Sequence, residues 1–157
     1  MNLEYFQLID RIVAISLDDR TIRTEATVPL ASTVFEGHFP GYPVLPGVLL
    51  IEAMAQTAGW LVIATTSFER MPFLMAVNDV KFRRFANPGE RLALEAGLTH
   101  EGSGYAVTKA RIEIDGKPVS DAEIRFRLMP FPSPEFRAHM DVMARRLELP
   151  LRALRDG

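Results

Sequence analysis

Phe35-Glu36-Gly37-His38-Phe39-Pro40-Gly41-Tyr42-Pro43-Val44-Leu45-Pro46-Gly47, followed by the apolar run Val48–Ala64, is the stretch around which the rest of the chain is arranged. Its first part holds three prolines and three glycines around a single histidine. Each proline fixes φ and each glycine admits backbone geometry that other residues resist, so this is a stiff, shaped loop. The run after it is long enough for a helix of about four to five turns and is apolar on nearly every side. A helix without a wet face belongs inside a protein. Glu52 is the run's one ionisable residue and Gln56 its one amide, a helical turn later on the same face. The run is at the short limit for a membrane span and carries those two polar groups, so it reads as a buried core helix. A lone carboxylate there is costly unless it is paired, hydrogen-bonded or protonated.

Outward from this helix the pattern changes to period two. On the N-terminal side, Leu3–Ile9 predicts a short helix or turn covering an opening of the core. Arg11–Leu17 and Thr21–Val28 predict two strands joined across Asp18-Asp19-Arg20, and the loop Leu30–Pro46 follows. On the C-terminal side, Phe68-Glu69-Arg70 turns the chain into a strand over Met71–Phe82, and Asn87-Pro88-Gly89 signals another turn. Leu92, Leu94, Ala96 and Leu98 alternate with Arg91, Ala93, Glu95 and Gly97, the pattern of a half-buried strand. Gly102-Ser103-Gly104 separates it from Tyr105–Ile114, and Asp115-Gly116 predicts a hairpin turn of the primed type. In the last strand Ala122, Ile124, Phe126 and Leu128 face one way, and Asp121, Glu123, Arg125 and Arg127 the other. One helix between β elements followed by a run of antiparallel strands predicts an α+β fold with the helix packed on the sheet.

The pattern changes again after Pro130. Phe131-Pro132-Ser133-Pro134 reads as a linker, and Phe136, Met140, Met143 and Leu147 fall at helical spacing before Pro150 breaks the run ahead of a basic tail, Leu151–Gly157. The expected organisation is one domain over residues 1–129 and a helical extension over 130–157, packed on the domain or at a subunit contact.

Composition excludes several function classes. At 157 residues the chain is one domain by size, and its 48% apolar content suffices for one core. A formal net charge of −2 gives no footing for nucleic acid or an anionic membrane as partner. The absence of cysteine removes disulfide and thiolate chemistry, and Met1-Asn2-Leu3-Glu4 does not open a signal peptide, so a cytoplasmic location is expected. His100 and His139 stand alone without paired ligand spacing, so no metal is expected, and no glycine-rich phosphate loop points to a nucleotide. His38 and Glu52 come first among the acid–base candidates. Either alone would read as an ordinary satisfied polar residue. Together, in this loop and on this helix, they read as a catalytic pair.

The segment His38–Gln56 closely resembles the signature of the 3-hydroxyacyl-[acyl carrier protein] dehydratases of fatty acid synthesis, including the spacing of the family's catalytic His and acid, here His38 and Glu52. Glu rather than Asp at the second position resembles the dehydratase-only branch. Weaker similarity runs from about Tyr5 to Arg127. The resemblance implies a hot-dog fold, a curled sheet wrapped around a central helix, and no cofactor beyond the phosphopantetheine arm of acyl carrier protein that bears the substrate. It further implies His38 as the base for the C2 proton and Glu52 as the acid for the departing C3 hydroxyl, which is chemistry that a near-neutral imidazole and a carboxyl in an apolar pocket suit. The family's matching glycine assigns Gly47 N–H, at the helix start, to the thioester oxygen, with Val48 N–H as a helper. Gln56 is placed to orient Glu52. The His38–Phe39 peptide bond is a candidate for a strained or cis geometry.

As partners the resemblance implies acyl carrier protein and a homo-oligomer, a dimer as the basic unit that can assemble into a trimer of dimers, with no nucleic acid and no membrane span. Lys81, Arg83 and Arg84 are candidates for docking the acidic carrier, in competition with Arg145, Arg146 and Arg152 on the extension. The chain departs from the family at Glu4–Arg11, which keeps the latter half of the usual N-terminal segment, and at Phe85-Ala86, where Pro-Val is common. Both places border the acyl tunnel in the family, so acyl length and pathway need not follow it. Two other classes stay open: a hot-dog thioesterase, and a non-catalytic acyl-binding subunit. The intact loop with Glu52 argues against the first, and retention of both His38 and Glu52 against the second.

Overall fold

The computed structural model describes residues 1–150; the basic tail 151–157, with Arg152, lies outside the described residues. Six strands form one antiparallel sheet: β1 (Arg11–Ser16), β2 (Thr21–Thr27), β3 (Met71–Phe82), β4 (Arg91–Gly102), β5 (Tyr105–Ile114) and β6 (Lys117–Met129). Their order in space is β1-β2-β4-β5-β6-β3. The chain leaves β2, passes through α1 (Thr33–Gly37) and α2 (Gly47–Thr65), and enters β3 at the opposite edge, where it pairs with β6. The sheet curls around α2, which is the hot-dog arrangement. A last helix, α3 (Pro134–Arg146), follows the sheet.

The period-two pattern becomes a buried face because side chains alternate across a strand. Leu92, Leu94, Ala96 and Leu98 of β4 are buried, as are Ala122, Ile124 and Phe126 of β6, and they meet Met54, Leu61 and Ile63 of α2. The hairpin between β5 and β6 has positive φ at both Asp115 (52°) and Gly116 (74°), the primed turn that matches strand twist. A buried polar contact ties helix to sheet. Thr57 Oγ1 donates to Ala53 O (3.0 Å), so Thr24 supplies the proton in the 2.8 Å contact between the two threonine hydroxyls.

Two details differ from a reading by pattern, and a third segment, Leu3–Ile9, takes the turn rather than the helix of the two forms expected there. The loop Leu30–Pro46 contains the short helix α1, because Ser32 Oγ accepts from Val34 N at 3.1 Å while the Glu4 carboxylate accepts from Ser32 Oγ and from Thr33 N. Leu3–Ile9 is a turn, closed by Asn2 N donating to Gln7 O and Gln7 N to Asn2 O. Finally, α2 is not covered all round by its own chain: Val48 is 71% exposed, and Glu52 and Gln56, successive turns on the same face, are half-buried. This is the one helix among the described residues long and apolar enough to cross a membrane, yet most of it is buried inside the sheet.

The two sheet edges differ. At β1, Ile12 N donates to Leu147 O (2.8 Å), so the segment after α3 covers part of that edge. At β3, Phe73, Leu74 and Met75 are exposed.

Candidate active site

His38 ends α1 as its C-cap, with its N–H on Val34 O, and the peptide bond to Phe39 is cis. The loop beyond is closed by Phe39 N to Tyr42 O (3.0 Å), Tyr42 N to Phe39 O (2.9 Å) and Val44 N to His38 O (3.2 Å), and Leu45 N donates to Ala86 O (2.9 Å). His38 Nδ1 lies 3.0 Å from Val44 O, and the ring stacks on Phe39 with centroids 4.1 Å apart. A carbonyl oxygen can only accept, so Nδ1 carries the proton. Nε2 is left with its lone pair, the tautomer a base requires.

Glu52 is held from the other side. Gln56 Oε1 accepts from Leu8 N (3.0 Å), which fixes the direction of the amide; its Nε2 then donates to Phe6 O (2.9 Å) and to Glu52 Oε1 (3.1 Å). One carboxyl oxygen is thereby oriented while the other stays available. The i, i+4 spacing foretells the contact between the two side chains. The clamp from residues 6–8 is long-range and has no local signal.

Gly47 opens α2 directly after Pro46, and no side chain caps this end. The first amides of a helix have no acceptor within it. Leu49 N and Leu50 N both turn to Pro46 O, at 2.9 and 3.3 Å, which leaves the N–H groups of Gly47 and Val48 at the positive end of the helix dipole. The Phe82 ring lies over Gly47: a Cβ there would sit 3.2 Å from two ring atoms. Glycine is therefore the residue that lets β3 close against the start of α2, and the pattern alone does not reveal it.

The structure thus brings Glu52 and Gln56 together and puts Gly47 and Val48 at one helix end. No hydrogen bond joins His38 to Glu52 within the chain; each is bonded elsewhere. The basic strand end divides. Arg83 pairs with Asp121, and Arg84 pairs with Glu90, while Lys81 is exposed. Burial works against the Glu90 charge, but the N–H and side-chain amide of Asn87 and the Arg84 guanidinium together hold its carboxyl below the ordinary range. Arg84 is thus part of the 87–90 turn. Among the described residues no group of three or more His, Cys, Asp or Glu side chains could hold a metal ion.

A family model described as "FabA-like domain" matches residues 1–123. The chain is 36% identical to a 3-hydroxyacyl-[acyl-carrier-protein] dehydratase FabZ of Streptococcus pneumoniae (strain Hungary19A-6) over 122 residues, covering 77% of this chain and 86% of that protein. It is 33% identical to the enzyme of the same name from Listeria welshimeri over 128 residues, covering 81% of this chain and 88% of that one. Among solved structures, a hypothetical thioesterase with coenzyme A from Streptococcus pneumoniae TIGR4 aligns with a TM-score of 0.59 at 14% identity, covering 76% of this chain and 85% of that one. That last likeness concerns the fold.

Proposed function

The chain belongs to the FabA-like family and is a 3-hydroxyacyl-[acyl carrier protein] dehydratase, and we propose that His38 is its base and Glu52 its acid. The observation that carries the assignment is the Nδ1–Val44 O hydrogen bond, which leaves Nε2 free to accept a proton. Nε2 takes the proton from C2 of the 3-hydroxyacyl thioester. The electron pair of that C–H bond becomes the C2–C3 double bond, the C3–O bond breaks, and the hydroxyl leaves as water with the proton of Glu52. The charge that develops on the thioester oxygen meets the N–H groups of Gly47 and Val48, preorganised at the start of α2. Proton return from His38 to Glu52 through water resets the pair. Electrons balance without an external oxidant or reductant.

His38 and Glu52 are each bonded elsewhere within one chain, which supports the reading that a second copy completes the site. The exposed apolar edge of β3 and the open strip Val48–Glu52–Gln56 of α2 supply the surface for a two-fold dimer, in which His38 of one protomer faces Glu52 of the other. The acyl group arrives on a carrier protein in the cytoplasm. Phe82 against Gly47 puts the strand end at residues 81–84 beside the helix start, so Lys81 and Arg83 are the docking side chains for an acidic carrier.

The test is incubation with 3-hydroxyacyl carrier protein, following loss of one water by mass. Glu52→Gln and His38→Ala, shown to be folded, each lose about 10²–10⁴-fold in kcat. Near wild-type turnover in either variant rejects the roles assigned. Release of free thiol instead of water makes the protein a thioesterase.

A further inference from the structure

Beside Glu52 lies a cavity of about 180 Å³, walled by Glu52, Gly59 and Ile63 of α2, Met71 of β3, Phe126 of β6 and Met140 of α3. Ile63 stands eleven positions beyond Glu52, so this wall of the helix extends about 16 Å. Apart from Glu52 and Gln56 the side chains around it are apolar. An apolar space that begins at a carboxyl matches a substrate with a reacting hydroxyl at one end and an alkyl chain behind it.

On the other side of Gln56, Trp60 and Met140 is a second cavity, of about 290 Å³, bordered by Tyr5 and Phe6. Those three side chains line both spaces and so form the partition between them. Gln56 is clamped by its three hydrogen bonds, and Trp60 is buried in the core. Met140 is different. It is half-buried, comes from α3, and is an unbranched side chain that yields readily to a change of shape. The family match ends at residue 123 and α3 begins at Pro134, so this part of the wall comes from a stretch beyond the match.

We propose that Met140 closes the acyl groove and sets the longest chain the enzyme accepts, with the second cavity as the space that opens when Met140 is shortened. This rests on the reading of Glu52 as the acid of a dehydratase. The groove takes the alkyl part of the acyl thioester, and its capacity is determined by a helix packed across the outside of the fold.

The experiment compares wild type, Met140→Ala and Met140→Phe on a ladder of 3-hydroxyacyl carrier proteins from short to long, with circular dichroism as the check of folding. Because one methylene at a pocket wall is worth roughly 10-fold or more in kcat/KM, Met140→Ala raises the long-to-short ratio by at least about tenfold. Met140→Phe lowers it. If Met140→Ala does not fold, the ratio for Met140→Phe decides. A wild-type enzyme active on short chains with an unchanged ratio in every folded variant overturns the inference. A wild-type protein that dehydrates no length overturns the dehydratase reading instead.

Discussion

Gln56 Nε2 donates to Glu52 Oε1 at 3.1 Å, and the same amide is gripped by the backbone of Phe6 and Leu8. The orientation of Glu52, the proposed acid, therefore depends on the N-terminal turn. Gln56→Ala is expected to lower kcat by about tenfold or more, the scale of one hydrogen bond to a group that becomes charged, while KM for a short thioester mimic stays within error. An unchanged kcat in a folded Gln56→Ala protein would show that the amide does not position Glu52.

The proposal of a site shared between two protomers predicts complementation. On that proposal His38→Ala and Glu52→Gln should each be inactive, but a mixed dimer should carry one site with both wild-type residues and one with neither. Activity should recover toward about one quarter of wild type after complete random exchange. No recovery, with exchange proven by an independent label, would place both residues of each site in one protomer.

Carrier docking predicts a selective charge effect. Lys81→Glu combined with Arg83→Glu should weaken turnover of carrier-bound substrate and leave a pantetheine thioester less affected, and added salt should act on wild type in the same direction. Equal losses on both substrates would mean that the two side chains support the strand end. Arg84 is left out of this test because its partner Glu90 belongs to the 87–90 turn.

Glu4 is held far below its ordinary 4.5, at about 2, because Ser32 Oγ and Thr33 N donate to its carboxylate. A depressed folded-state value means stability that is present above about 4.5 and lost as pH falls through about 2. The stability difference between wild type and Glu4→Gln should accordingly be flat at neutral pH and shrink in that acid window. A difference that persists unchanged to the lowest pH would assign the effect to packing instead of charge.

The buried hydroxyls offer a double-mutant test. Thr57→Val strands the Thr24 donor in the core and should cost roughly 1–3 kcal/mol, whereas adding Thr24→Val should restore part of the loss. Additive losses would show that Thr24 finds another acceptor.

Much of the fold follows from local chemistry. Alternation at Leu92–Leu98 and Ala122–Phe126 is a property of a strand with one dry face, and Asp115-Gly116 suits the primed turn because both residues tolerate positive φ. The loop around His38 and the helix from Gly47 were equally legible, since proline and glycine act on the backbone where they stand. What the tertiary structure alone decided involves residues far apart in the chain. The passage of β3 to the far edge, Glu4 on Thr33, the clamp of residues 6–8 on Gln56, Phe82 over Gly47 and Met140 on the wall of the same cavity as Glu52 all join segments whose own patterns do not name their partners. Periodicity records which side of an element is dry. It carries no address for what lies against that side, because burial stabilises any apolar neighbour of suitable shape. The positions of His38 and Glu52, one in a loop and one on a buried helix, were thus legible along the chain, and their surroundings only in space.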